Sequence, residues 1–278
     1  MKSFCLLTVF FFYTVSAVVA QRPPTDPKHE NHYVVAPVEN DDLKITFKNA
    51  HSQQEFTLVE MTITNKTSDF LYCKGSEAKF IFDHGTYNPK GNLLSRVNFS
   101  IGPLETVSKT LKVSGDAKFH AEKLQLELNC FYKISSKGEV LKAPDFQLPA
   151  AKNSFSAGDC NCTLEKAKQT TQETAAKFKC TYSGKKVAFI DPSKLSVKLK
   201  DGQEFANNNR KDKGDILMPG DEISFTAIFI IPGQIADMQF TVLNISWNET
   251  FSESGMIPVK VGTVDFVLDS GVTLLKNK

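Results

Sequence analysis

Two stretches of the chain carry one signature: Ala143-Pro144-Asp145-Phe146-Gln147-Leu148 and Thr263-Val264-Asp265-Phe266-Val267-Leu268. The match extends backwards through both halves. An offset of 117 carries Leu43, Ile45 and Phe47 onto Cys160, Cys162 and Leu164, Ile63 onto Cys180, Phe70 onto Val187, and Phe80 and Phe82 onto Val197 and Leu199. An offset of 116 carries Pro103, Val107 and Thr110 onto Pro219, Ile223 and Thr226. Offsets of 115 and then 120 set Asn129 on Asn244 and Asp145-Phe146 on Asp265-Phe266. Small drifts confined to loops are what duplicated domains show. The expected units are therefore 38–149 and 155–270, joined by a linker at 150–154 and followed by a tail at 271–278.

The pattern within each unit has period two. Leu43-Lys44-Ile45-Thr46-Phe47 puts its apolar residues on one face, and Leu124-Gln125-Leu126-Glu127-Leu128 does the same. Polar turns such as Asn65 to Asp69, Asp83-His84-Gly85 and Ser135 to Gly138 separate such runs. About seven short strands at this spacing read as an antiparallel sandwich. Leu164 to Phe178 has helix-forming composition, but its counterpart in the first half is strand-like, so a strand is expected. The expected fold class is all-β: two tandem immunoglobulin-like antiparallel β-sandwiches related by internal duplication.

Leu195 to Leu243 adds a resemblance. A strand ending in Lys200-Asp201-Gly202-Gln203-Glu204-Phe205 precedes a polar loop; Leu217-Met218-Pro219-Gly220-Asp221-Glu222 then leads into Ile223 to Ile231, closed by Pro232. This resembles the telokin-like, immunoglobulin-type domains of small exported bacterial proteins, among them a secreted mycobacterial antigen. The first half keeps the layout but inverts the turn, with Gly102-Pro103-Leu104-Glu105. The resemblance implies a fold and an exported compartment, and no activity.

Residues 1–20 read as an export signal: Lys2, the apolar run Phe4 to Val19, and Val18-Val19-Ala20 before Gln21. The run is shorter than the ~20 residues a membrane span needs, and no later segment approaches that length. The Ala20-Gln21 junction resembles exported proteins of the Bacteroidetes group, while a eukaryotic source and a choice between periplasm and extracellular space stay open. Residues 21–37 are polar and Pro-rich and read as a flexible leader. Lys plus Arg number 33 and Asp plus Glu 31, and signal removal takes one Lys and no acid. A near-neutral chain has no electrostatic case for nucleic acid or an anionic membrane.

Cys5 falls in the signal. In an oxidising compartment Cys73, Cys130, Cys160, Cys162 and Cys180 are all disulfide candidates. Cys160 and Cys162 replace inward Leu43 and Ile45, and Cys180 replaces inward Ile63, so one cross-strand bridge among these three is expected, with one sulfur left over. Cys73 and Cys130 form the natural pair in the first half. Asn65, Asn98, Asn161, Asn244 and Asn248 each head an Asn-X-Ser/Thr sequon, glycosylated if the source is eukaryotic and accidental in a bacterium. His29-Glu30-Asn31-His32 has chelating spacing but sits in the leader with no supporting groups. His84 belongs to a solvated hairpin tip. Loop Asn207 to Asp215 and the aromatics Tyr72, Tyr87 and Tyr182 are surface candidates, the latter as a sugar platform.

No nucleophile elbow, phosphate loop or metal motif stands out, so no catalytic, cofactor or metal residue is assigned and no cofactor is expected. The functional expectation is an exported, non-catalytic binding module for an unidentified protein or glycan. The alternatives are a secreted hydrolase with dispersed carboxylates, and a thiol or metal protein using Cys160, Cys162 and Cys180.

Overall fold

The computed structural model describes residues 22–90, 97–116, 119–209 and 214–278. The segment expected to be an export signal, with Cys5, and Arg210 to Lys213 of the polar loop lie outside the described residues. The protein is all-β, with 53% of its residues in strands and 5% in helix, so sheet packing alone builds its cores. Alternation is read out as expected: Leu43, Ile45, Leu124, Leu126 and Leu128 are buried while Lys44 and Gln125 face out. The segment of helix-forming composition lies in the strands Cys160–Gln169 and Glu173–Tyr182.

Two large apolar cores define two lobes. The first gathers Leu43, Ile45, Met61, Phe80, Leu126 and Phe131. The second gathers Cys162, Phe178, Tyr182, Phe229, Trp247 and Phe251. A third, smaller cluster of Phe70, Ile134, Val187, Phe189 and Ile216 lies where the lobes meet, with the Phe70 and Phe189 rings 5.2 Å apart.

The ladders of the first half recur in the second. Leu43 pairs with Asn65 and Ile45 with Ile63; Cys160 pairs with Tyr182 and Cys162 with Cys180. Phe131 stands opposite Cys73, and Phe251 opposite Ile190. The last pairing corrects one expectation. Ile245 answers Leu126 at an offset of 119 and Phe251 answers Phe131 at 120, so the offset of 115 that set Asn129 on Asn244 does not hold.

Strand membership overturns the expected boundaries. Phe146–Leu148, which ends the first half in sequence, pairs with Leu243–Ser246. Thr263–Leu268, which ends the second, pairs with Lys123–Glu127. Likewise Glu139–Val140 pairs with Phe251–Ser254, and Met256–Val259 with Phe131–Ile134. Each half therefore gives its last two strands to the other. The second lobe runs unbroken over 139–254, and the first is assembled from residues before 135 and after 255. The chain crosses at Ser135 to Gly138 and at Gly255; residues 150–154, expected as the linker, stay inside the second lobe. Gly138 is required at its crossing, because a Cβ there would stand 2.2 Å from the Glu253 carbonyl oxygen. Aromatic packing anchors the given strands. Phe146 lies in a ring cluster with Phe155, Phe178 and Trp247, and the indole Nε1 donates to the Pro144 carbonyl at 2.8 Å. Phe266 packs on Tyr33 and Phe80.

The leader and the tail are also corrected. Asn31–Val35 is a strand between Leu43–Gln53 and Thr263–Leu268, and it joins their ladders into one nine-stranded sheet. Polar composition hid it because its buried polar groups are satisfied: Asn31 donates to the Ala121 carbonyl, and the Tyr33 hydroxyl bonds Ser52 and Ala121. Burial pushes the Tyr33 phenol up to about 12. The tail is the helix Ser270–Lys276, capped by Asp269 and tied to the leader through Thr273 and Asn277.

Candidate functional site

A groove opens where the lobes meet. One cavity of about 980 Å³ is lined by Tyr72, Phe99, Lys109, Met218 and Asp221, and one of about 720 Å³ by Phe70, Glu105, Lys137, Phe189 and Lys194. They share Ser100 and Asp215, so the two adjoin. The walls are outer strands. Asn98–Ile101 ends the sheet of the first lobe that also contains Phe70–Lys74, and Asp215–Leu217 ends its counterpart in the second.

Local chemistry fixes the groove's charge. Asp215 reaches solvent, yet the flanking walls withdraw enough water from its carboxyl to hold it above the usual range, and Asp221 adds like-charge repulsion. The Ile216 amide, donating to Asp215 at 2.8 Å, opposes both. Asp221 locks a turn: its carboxylate accepts from the Met218 amide at 2.9 Å. Glu105 has the same role in the first lobe, accepting from Gly102 at 2.7 Å. Lys109 sits over the Phe99 ring, 5.2 Å from its centroid.

The cysteines resolve into three roles. Cys162 and Cys180 form a disulfide across the strand pair. Cys160 is left over, fully buried, and desolvation followed by Glu253 and Asp159 pushes its thiol up to about 12. Such a thiol is neither a ready nucleophile nor a metal ligand at neutral pH. Cys73 and Cys130 meet inside the first core with their sulfurs 3.7 Å apart and unbonded, so the bridge expected from sequence is closely approached but not formed here.

The remaining candidates scatter. Asn65 is buried, its amide nitrogen donating to the carbonyls of Asp69 and Gly102, a poor position for a glycan. Asn98 accepts from Ser76, Asn161 is exposed and accepts from Ser156, Asn244 is half-buried, and Asn248 donates to Ser196. His29 leaves its chelating spacing unused: its Nδ1 meets His120 Nε2 at 2.8 Å, while His32 bonds Glu30 and stacks on His51. No three His, Cys, Asp or Glu side chains converge to hold a metal among the described residues. Tyr182 is fully buried with its hydroxyl on Glu253, and Tyr87 packs against Phe82 and Phe119, which leaves Tyr72 as the groove's tyrosine. Asn207 and Asn208 of the polar loop bond the edge of Glu222–Ile230: their side chains accept from the Ile228 and Ile230 amides, and the Asn208 amide donates to Ile228.

No family model matches the sequence, and no curated protein matches it. Among solved structures, the YjhA protein of Bacillus subtilis is 16% identical over 28% of this chain and 70% of its own, with a TM-score of 0.25. The exo-β-D-glucosaminidase CsxA is 14% identical over 79% of this chain, with a TM-score of 0.27; the match spans 26% of the enzyme. A CBM22 tandem domain from Paenibacillus barcinonensis is 8% identical over 85% of this chain and 96% of its own, at 0.13. Likenesses this slight carry no argument. No helix among the described residues is long and apolar enough to cross a membrane.

The groove itself had no single sequence signal. It is made by two lobes meeting, and its residues come from Phe70 to Ile223. Tyr72, Asn98 and Asp215, the last residue of the polar loop, were singled out beforehand for other reasons, and Asp221 and Glu105 only as turn residues.

Proposed function

We propose that this is an exported, non-catalytic binding protein built from two duplicated immunoglobulin-like sandwiches, which takes an extended ligand in the groove between its lobes. The observation that carries the reading is the adjacency of the two cavities at Ser100 and Asp215. Two adjoining cavities suit a chain-like ligand better than a compact metabolite, which favours one enclosed pocket. The recurring ladders support duplication, and the Cys162–Cys180 bridge suits an oxidising compartment reached through the signal at residues 1–20. The test is binding of the mature protein to peptide and oligosaccharide arrays, repeated with Ser100→Trp, which fills the junction. Loss of binding in the variant is expected; binding that survives undiminished removes the groove from the reading.

One observation favours a second reading. Asp215, held protonated to higher pH beside Asp221, resembles the paired carboxylates of hydrolases, where one acid stays protonated. Each carboxylate is, however, occupied by a nearby main-chain amide that shapes its own segment. Release of reducing sugar or peptide fragments, abolished by Asp215→Asn, would establish the hydrolase.

A further inference from the structure

Several outer strands among the described residues are blunted, and one that lines the groove is not. Glu222–Ile230 is covered by Asn207 and Asn208. Met256–Val259 carries Pro258, which has no amide to offer, and Thr106–Ser114 presents Lys109 and Lys112. On Asp215–Leu217 the Ile216 amide is taken by the Asp215 carboxylate. Asn98–Ile101 occupies the matching place in the first lobe: Cys73 pairs with Phe99 as Ile190 pairs with Asp215. Phe99 therefore stands where Asp215 would, and it has no acceptor with which to close the edge. Alternate residues of any outer antiparallel strand turn their N–H and C=O groups away from the ladder. On Asn98–Ile101 those groups open onto the groove, whose lining includes Asn98, Phe99 and Ser100.

We propose that this edge binds an extended peptide as an added β-strand, with basic side chains of the peptide facing Asp215 and Asp221. The proposal rests on the groove reading and names its ligand class. Three features select the occupant. An added strand needs about 4.8 Å of lateral room, which a cavity of about 980 Å³ supplies. The far wall carries two carboxylates, neither of them within ion-pair distance of a lysine among the described residues; Asp215 is raised by burial first and by Asp221 in addition, and a cation between them relieves that repulsion. An oligosaccharide would use aromatic faces, but the Phe99 face is occupied by the Lys109 ammonium and Tyr72 is half-buried. Backbone pairing would set affinity, and alternate peptide side chains would set specificity, as in other strand-addition sites.

The experiment titrates the mature full-length protein with capped octapeptides in which Lys or Arg alternates with Thr or Val. Controls are the same peptides with Glu in place of the base, and versions N-methylated at alternate amides; an oligosaccharide array runs in parallel. Basic peptides should bind, the acidic series should not, and N-methylation on the paired edge should weaken binding about tenfold per lost hydrogen bond. Asp215→Asn with Asp221→Asn should remove the preference for basic over neutral peptides. N-methylation acts on the ligand, so its effect does not depend on how a protein variant folds. Basic peptides that bind equally well when N-methylated on either edge overturn strand addition. Oligosaccharide binding with silent peptides overturns the peptide class and leaves the groove reading standing. Silence in both sets overturns both.

Discussion

Phe146→Ala and Phe266→Ala form a matched pair of perturbations. Both rings are nearly inaccessible, at 5% and 2% exposure. Truncating a buried Phe costs about 3–5 kcal/mol through lost burial and a residual cavity. For a lobe of this size each kcal/mol lowers the midpoint by roughly 3–5 °C, so a fall of at least ~9 °C is expected. The question is which lobe falls. Trp247 is the single tryptophan and sits in the second core beside Phe146, their centroids 6.3 Å apart. Its fluorescence therefore reports the second lobe, while amide exchange in Leu43–Gln53 reports the first. Phe146→Ala should lower the Trp247 transition and leave Leu43–Gln53 protected. Phe266→Ala should strip protection from Leu43–Gln53 while the Trp247 transition holds. If instead Phe146→Ala spared Trp247 and weakened Leu43–Gln53, the strand exchange would be wrong and boundaries at 38–149 and 155–270 would be restored.

Other expectations follow from the same geometry. Leu104 adopts φ +57° at the turn position that Gly220 fills at +89° in the second lobe, so Leu104→Gly should stabilise by about 1 kcal/mol in urea unfolding; a destabilised variant would refute the strain. Peptide mapping without reductant should recover Cys162 joined to Cys180, and native Cys160 should resist iodoacetamide, whereas rapid alkylation would contradict its burial. Oxidation should also close Cys73 to Cys130, lowering the mass by two hydrogens and adding ~4 kcal/mol by the chain-entropy relation; free thiols that persist under oxidising conditions would refute it. His120 titrates below its ordinary value because burial disfavours its charge and His29 lies beside it, with Glu122 opposing. The unfolded chain then takes up protons first as the pH falls below about 6.5, so this contribution is present above that value and lost on acidification. Exchange rates in Asn31–Val35, corrected for intrinsic chemistry, should rise between pH 7.5 and 5, and His120→Gln should flatten the response; an unchanged profile would refute it.

Much of the fold is legible in the sequence, because period-two burial is a local property. Leu43 and Ile45, or Cys160 and Cys162, declare an inward face without reference to any partner. Partner choice is not local. Phe146 and Phe266 sit in similar contexts, each after Asp and two residues before Leu, so local sequence does not tell the two strands' partners apart. The leader misleads for a different reason: His29 and Asn31 look solvated by composition, yet His120 and the Ala121 carbonyl satisfy them in the interior. The groove was illegible because it belongs to neither half. Its chemistry arises only when Phe99 and Asp215, unlike residues in equivalent places, face a common space.

The reciprocal exchange of strands also sets an order of assembly. As the chain emerges amino-terminus first, the second lobe has all its strands once Ser254 is out. The first lobe, begun earlier, still lacks Met256–Val259 and Thr263–Leu268. Until those residues arrive, Lys123–Glu127 and Phe131–Ile134 each miss a neighbour, and the half synthesised first is the half finished last. The waiting edges match the closing strands of any other copy in the vicinity. Crowded synthesis should thus favour chains that complete one another, and the yield of monomer should fall as expression rises.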